Sequence, residues 1–178
     1  MIPLSSNQLD SPFKNKQLRK EGIKKGYGTK GECFGLKLNL AVNHKGQVHN
    51  YSISSSNEHD ILPVKKGLLS KAIGIVIADK GYISEKLKKE LQEKSCYLLT
   101  GKRNNQEKPL GKIEKRIYQK RQQIEKIFSL LKSRFCLCPS TFPRRKNTAI
   151  ALILGSLIAY QFHKAKHVIH INFNDFKG

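Results

Sequence analysis

Acidic residues are scarce in this chain. Thirteen Asp and Glu stand against 34 Lys and Arg in 178 residues, for a formal net charge of +21. Self-repulsion on that scale opposes compaction, so the charge is expected to serve a polyanion: DNA, RNA or an anionic membrane surface. The basic residues run along the whole chain, which favours a folded binding surface over a basic arm, although a ribosomal-type RNA binder shares this balance. Metal-site spacings are also missing. Cys33, Cys96, Cys136 and Cys138 contain no Cys-x2-Cys pair, and the six histidines form no HExxH array, so a structural zinc is not expected. No signal peptide is legible, which points to reduced intracellular thiols. Long apolar runs are absent too. The densest, AIALILGSLIAY, lies between Asn147 and His163 and falls short of the roughly 20 residues that span a bilayer. It predicts a buried helix over 147–162, and a membrane-associated basic protein would rest on this stretch alone.

What is present is ordinary globular material. Hydrophobic residues make up 38% of the chain, enough to bury a core, and neither repeats nor linkers appear, so residues 1–178 read as one domain. Met1-Ile2-Pro3-Leu4 could end a strand. The run to Lys30 is polar, basic and broken by Pro12, Gly22, Gly26 and Gly28, and reads as a loop-like lead-in over 1–30. The core follows over 33–135. Phe34, Leu36, Leu38, Leu40 and Val42 alternate with Gly35, Lys37, Asn39 and Ala41, a half-buried strand, and Val48 to Ser54 returns from a turn as its hairpin partner. Asn57 to Asp60 could cap a helix over 61–72. Gly74 to Ala78 is continuously apolar, as in a strand covered on both faces, and places Asp79 at its C-terminal edge, where α/β folds collect ligands. Ser84 caps a helix over 85–95, and Cys96 to Thr100 is a short strand followed by Gly101, Lys102 and Arg103.

The stretch Lys115–Arg134 reads as one amphipathic helix. Ile117, Ile124, Ile127, Phe128 and Leu131 mark its core face, and Tyr118, Arg121, Ser129 and Lys132 share a side with Glu125. Either this is a solvated basic helix with an incidental Glu, or Glu125 is a metal-binding carboxylate on a helix that grips phosphates. Asp79 and Glu125, from separate elements, are the kind of acids that two-metal phosphodiester chemistry brings together, since Mg²⁺ keeps waters and needs few carboxylates.

The same helix fits the spacing Tyr-x2-Arg-x3-Glu-x6-Lys in full, as Tyr118, Arg121, Glu125 and Lys132. With Ala78-Asp79-Lys80-Gly81-Tyr82, Phe34 to Leu38 and Asn57 to Asp60, the segment from about Gly31 to Phe162 resembles the DDE-type transposases of bacterial insertion sequences. The resemblance implies an α/β, RNase H-like mixed sheet flanked by helices. It also implies DNA transposition by metal-dependent hydrolysis and strand transfer at transposon ends, with Mg²⁺ or Mn²⁺ in a two-metal site. By it, Asp79 and Glu125 are the second and third metal ligands, and Tyr118, Arg121 and Lys132 contact DNA, joined in the basic surface by Lys80, Lys102 and Arg103. The implied partner is double-stranded DNA, transposon ends and target, with room for a homodimer on it and no membrane. The implied location is the bacterial cytoplasm, on the nucleoid. The departure is at the front. The family's first catalytic Asp precedes a Pro-Leu pair like Pro3-Leu4, so the first strand is expected to be absent or a stub, and Asp10 is a poor substitute. That implies a truncated chain, inactive or severely impaired; a non-catalytic basic DNA-binding protein that occupies transposon ends is the alternative.

Overall fold

Alternation of large apolar side chains from Phe34 to Val42 produces the longest strand, β3 (Gly31–Val42), and β4 (Val48–Ser55) returns antiparallel to it. Asn43 ties the intervening turn, its side-chain oxygen accepting from the Lys45 and Gln47 N–H groups at 3.0 Å each. Gly46 supplies the positive φ (75°) that the turn requires. The computed structural model describes residues 2–10, 16–28, 31–101, 110–137, 143–164 and 166–168.

The expected absence of the first strand is overturned. Residues Ile2–Asp10 form a nine-residue strand, β1, in the centre of the sheet. It pairs antiparallel with β3, from Leu4 opposite Ala41 to Asp10 opposite Gly35. On its other side it runs parallel to β5 (Gly74–Ala78), with Leu4 opposite Ala78. Ser5 to Gln8 carry no period-two apolar signal. Two flanking strands with backbone groups to satisfy impose the strand on a sequence that does not announce it. The loop-like reading of 1–30 is corrected further by a short helix, α1 (Lys16–Lys20), and by β2 (Lys25–Gly28), which pairs with the start of β3. Parallel pairing of β5 with β6 (Cys96–Thr100) completes the order β4-β3-β1-β5-β6 in a mixed sheet.

Helices cover both faces. On one, Leu36, Leu38 and Leu40 of β3 pack against α5 (Gln122–Arg134) and α6 (Lys146–Phe162). On the other, Val76 and Ala78 pack with Tyr82 and with Leu87 and Leu91 of α3 (Glu85–Glu93). β3 is therefore not half-buried: Asn39 and Ala41 are fully buried and Lys37 is 7% exposed, on the face opposite the leucines. The helix expected over 61–72 is cut short. Only α2 (Ile61–Pro63) and a π-helical turn (Val64–Leu68) form, because Gly67 takes a left-handed φ of 100° that a helix cannot continue. The Ser84 cap holds, its hydroxyl accepting from the Leu87 N–H at 3.3 Å.

α6 buries one face, through Ala149, Ile153, Leu157 and Tyr160, and leaves Ile158 and Phe162 exposed, so it is not buried all round. Its N-terminus is capped from a distance by Glu21, which accepts the Lys146 N–H at 2.6 Å. The Gln17 hydrogen bond, and then this backbone one, hold the Glu21 carboxyl below its ordinary pKa. Among the described residues, no helix is long and apolar enough to cross a membrane.

Candidate functional site

The helix expected over 115–134 is two: α4 (Lys112–Gln119) and α5, joined through Lys120 and Arg121. Both joint residues keep helical φ and ψ, but the hydrogen bonds there shorten to i→i−3, with Arg121 N–H to the Tyr118 carbonyl and Ile124 N–H to the Arg121 carbonyl, 3.0 Å each. The packing explains the change. Ile117 of α4 sits on Ile77 and Leu99 of β5 and β6, whereas Ile124 to Leu131 of α5, which lies against β1, join the β3 leucines in one cluster. Sheet twist makes those platforms diverge, and the tightened turn takes up the difference.

That turn aims Arg121 at both candidate acids. Its guanidinium lies 2.7 Å from Glu125 Oε1 through Nη2 and 3.9 Å from Asp79 Oδ2 through Nη1. Asp79 follows β5 in extended backbone and begins a 3₁₀ turn, Lys80–Tyr82, whose first N–H, that of Lys80, donates to Asp79 Oδ1 at 2.6 Å. Asp79 and Glu125 are about half exposed (53% and 54% of their side chains), while Arg121 is at 19%. Exposed pairs of this kind contribute about 0–1 kcal/mol, and an acid C-terminal to its cation on a helix is the weaker orientation. A phosphate can therefore draw the guanidinium away, or a metal ion replace it, at little expense.

Tyr118 closes one side. Arg121 sits over its ring at 5.9 Å from the centroid. Burial raises the Tyr118 pKa, against the Arg121 charge, which lowers it. The ring rests on Gly101, immediately after β6: a Cβ there would collide with the hydroxyl and lie 2.9 Å from Tyr118 Cζ and 3.3 Å from Lys80 Cγ. Only glycine admits this approach. Lys80 is exposed beside it, and Lys132 is exposed on α5 two turns past Glu125. Lys102 and Arg103 lie outside the described residues.

The arrangement thus gathers Asp79, Glu125, Arg121, Tyr118 and Lys80. Among the described residues it does not gather a third acid. Leu4 is opposite Ala78, so the β1 position level with Asp79 is Ser5, whose partner Leu40 lies on the face covered by α5. Asp10 stands five positions further along β1, roughly 17 Å at 3.3–3.4 Å per residue, and pairs with Gly35. No group of three or more Asp, Glu, His or Cys that could hold a metal occurs among the described residues. The two carboxylates fit a hard cation that keeps most of its waters. Sequence reasoning missed Ser5's position, the Gly101 seat and the bridging by Arg121. Gly101 left a trace as a glycine after a strand and Arg121 as a neighbour of Glu125 on one helix side, whereas the level of Ser5 left none.

The sequence profile of the family described as "Transposase DDE domain" matches residues 12–141, more than half of the chain. The match takes in Asp79 and Glu125 and begins after β1. No curated protein and no solved structure matches.

Proposed function

The chain belongs to the DDE transposase family, and from its site we propose a transposase catalytic-type domain that binds transposon-end DNA but cuts it poorly or not at all. Transposition of DNA is the general function of that family, and its members generally use a divalent metal. One observation carries the reading of this chain: Arg121 bridges Asp79 and Glu125 while the level position on β1 is Ser5. We read the sheet as RNase H-like, supported by its strand order and by β1 running antiparallel to β3 and parallel to β5.

In this reading Asp79 and Glu125 would hold a divalent ion, Mg²⁺ or Mn²⁺. When bound, such an ion supplies positive charge that polarises a phosphodiester. Arg121 neutralises the two acids in the free chain and turns to a DNA phosphate when the ion enters. Tyr118 stacks against it and limits where it can go. Lys80 and Lys132 hold backbone phosphates on either side. Asp79 and Glu125 would hold one ion, and the described residues bring no further acid beside them to hold a second. The same Ser5 position favours a second reading, a non-catalytic protein that occupies ends.

The test uses the full chain with a fluorescent duplex and a supercoiled plasmid in Mn²⁺. Duplex affinity should fall about a thousandfold between 50 and 200 mM salt as counterions are released. Binding should survive Asp79→Asn with Glu125→Gln, and the wild type should leave the plasmid supercoiled. Ser5→Asp should gain nicking that Asp79→Asn abolishes. Nicking by the wild type would sink the impaired reading, and a flat salt response would remove the basic surface as the DNA site.

A further inference from the structure

Asp79 heads a three-residue turn at a sheet edge and is half exposed, so something other than its own burial has to fix it. The turn is held from the far side of the sheet. Lys37, in the middle of β3 and 9% exposed at its side chain, sends Nζ to Asp60 Oδ1 at 3.0 Å and to the Glu58 carbonyl at 2.8 Å. Asp60 in turn lies against Gly81: a Cβ built there would be 2.8 Å from Asp60 Oδ2. The next residue, Tyr82, is fully buried and donates its hydroxyl to Asn39 Oδ1 at 3.3 Å, and Asn39 is likewise fully buried on β3. β3 and β5 are separated by β1, about 10 Å apart, and the gap is bridged by Asp60 between Lys37 and Gly81 and by the Tyr82 side chain reaching Asn39.

We infer that the Lys37–Asp60 pair is a positioning device for Asp79. Lys37 fixes Asp60, Asp60 bears on Gly81, and Tyr82 pins the end of the turn, so the Asp79 carboxylate keeps its bond to the Lys80 N–H and its aim at Arg121. This inference rests on the proposed site and extends it to residues on the opposite face of the sheet. A buried ion pair adds little net stability over an apolar pair of equal volume, but it does fix geometry. It also explains the glycine at 81, since any side chain there would displace Asp60 or the turn.

The test follows the Lys80 amide in ¹H–¹⁵N spectra of the full chain, with Asp79→Ala marking its position without the side-chain bond. Lys37→Met, Asp60→Asn and Gly81→Ala should each move the Lys80 resonance most of the way to that mark. The double variant Lys37→Met/Asp60→Leu, an apolar pair that restores packing, should recover stability and still show the displaced resonance. Leu91→Ala, a core truncation under α3, should lose stability and leave Lys80 in place. Mn²⁺ affinity should drop about tenfold in the positioning variants, as for other groups that orient a metal ligand. A Lys80 resonance unmoved in the double variant overturns the inference and leaves the pair a packing element. If Lys80 responds but the wild type binds no Mn²⁺ that Asp79→Asn removes, the positioning stands and the metal reading falls.

Discussion

The two faces of β3 are both buried and do different things. On one, Leu36, Leu38 and Leu40 meet α5 and α6 in the largest apolar cluster. On the other, Lys37 holds Asp60 beside Gly81 and Asn39 accepts from Tyr82, both in the turn that follows Asp79. Apolar burial is non-directional: it sets how firmly the sheet is held but tolerates small shifts of its parts. Hydrogen bonds to a buried ammonium or amide are directional, and they fix where a neighbouring turn sits. One strand thus separates the stability of the fold from the geometry of its site.

The largest expected effect tests the apolar face. Leu38→Ala should destabilise the chain by about 3 kcal/mol through lost transfer energy and a residual cavity, while Leu38→Met should stay under about 1.5 kcal/mol. Urea midpoints of the two variants decide it, and equal losses would show that the site is loosely packed. On the polar face, Lys37→Met should cost about 2 kcal/mol, because the Asp60 carboxylate and the Glu58 carbonyl lose their donor. A loss as large as that of Leu38→Ala would mean the polar face also bears the fold, and the contrast would collapse.

A pH experiment returns to the apolar side. Burial pushes the Tyr160 hydroxyl up to about 12 from an ordinary 10.0. A raised folded-state pKa means this contribution is fully present below about pH 10 and is lost as pH climbs towards 12, on the order of 2 kcal/mol in all. Tyr160→Phe should flatten that decline, at the expense of the 2.6 Å bond its hydroxyl donates to the Gly46 carbonyl. A decline that persists unchanged in the variant would assign it to other tyrosines. Burial likewise raises Tyr118, whereas Tyr97 is raised first by its hydrogen bond to Glu114.

Smaller still, Tyr82→Phe removes one bond to Asn39 and should cost about 1 kcal/mol in thermal or urea unfolding. Arg121→Ala should be smallest of all, within about 1 kcal/mol, because its two carboxylate partners are half exposed. Its effect belongs instead in duplex affinity and Mn²⁺ titrations. A large stability loss would make Arg121 a structural residue.

Much of this was legible beforehand. The hairpin, the Asp79 strand, the Ser84 cap and β6 follow from local period and turn chemistry, which act over a few residues. The spacing of Tyr118, Arg121, Glu125 and Lys132 likewise put the acid and its neighbours on one side. Other features were not legible, because they depend on partners distant in sequence. The single helix became two since its ends rest on diverging strands. Residues 61–72 looked helical, and one left-handed glycine prevented it.

By itself, then, the sequence determined the charge, the apolar periods and the placing of Glu125 with Tyr118, Arg121 and Lys132 on one helix side, because each is written in neighbouring residues. Only the tertiary structure decided that Ile2–Asp10 fills the centre of the sheet, that Ser5 rather than an acid stands level with Asp79, and that Lys37 steadies the turn beyond it. Those outcomes come from strand pairing and from contacts across the sheet face, where the partner is far along the chain and no local pattern records it.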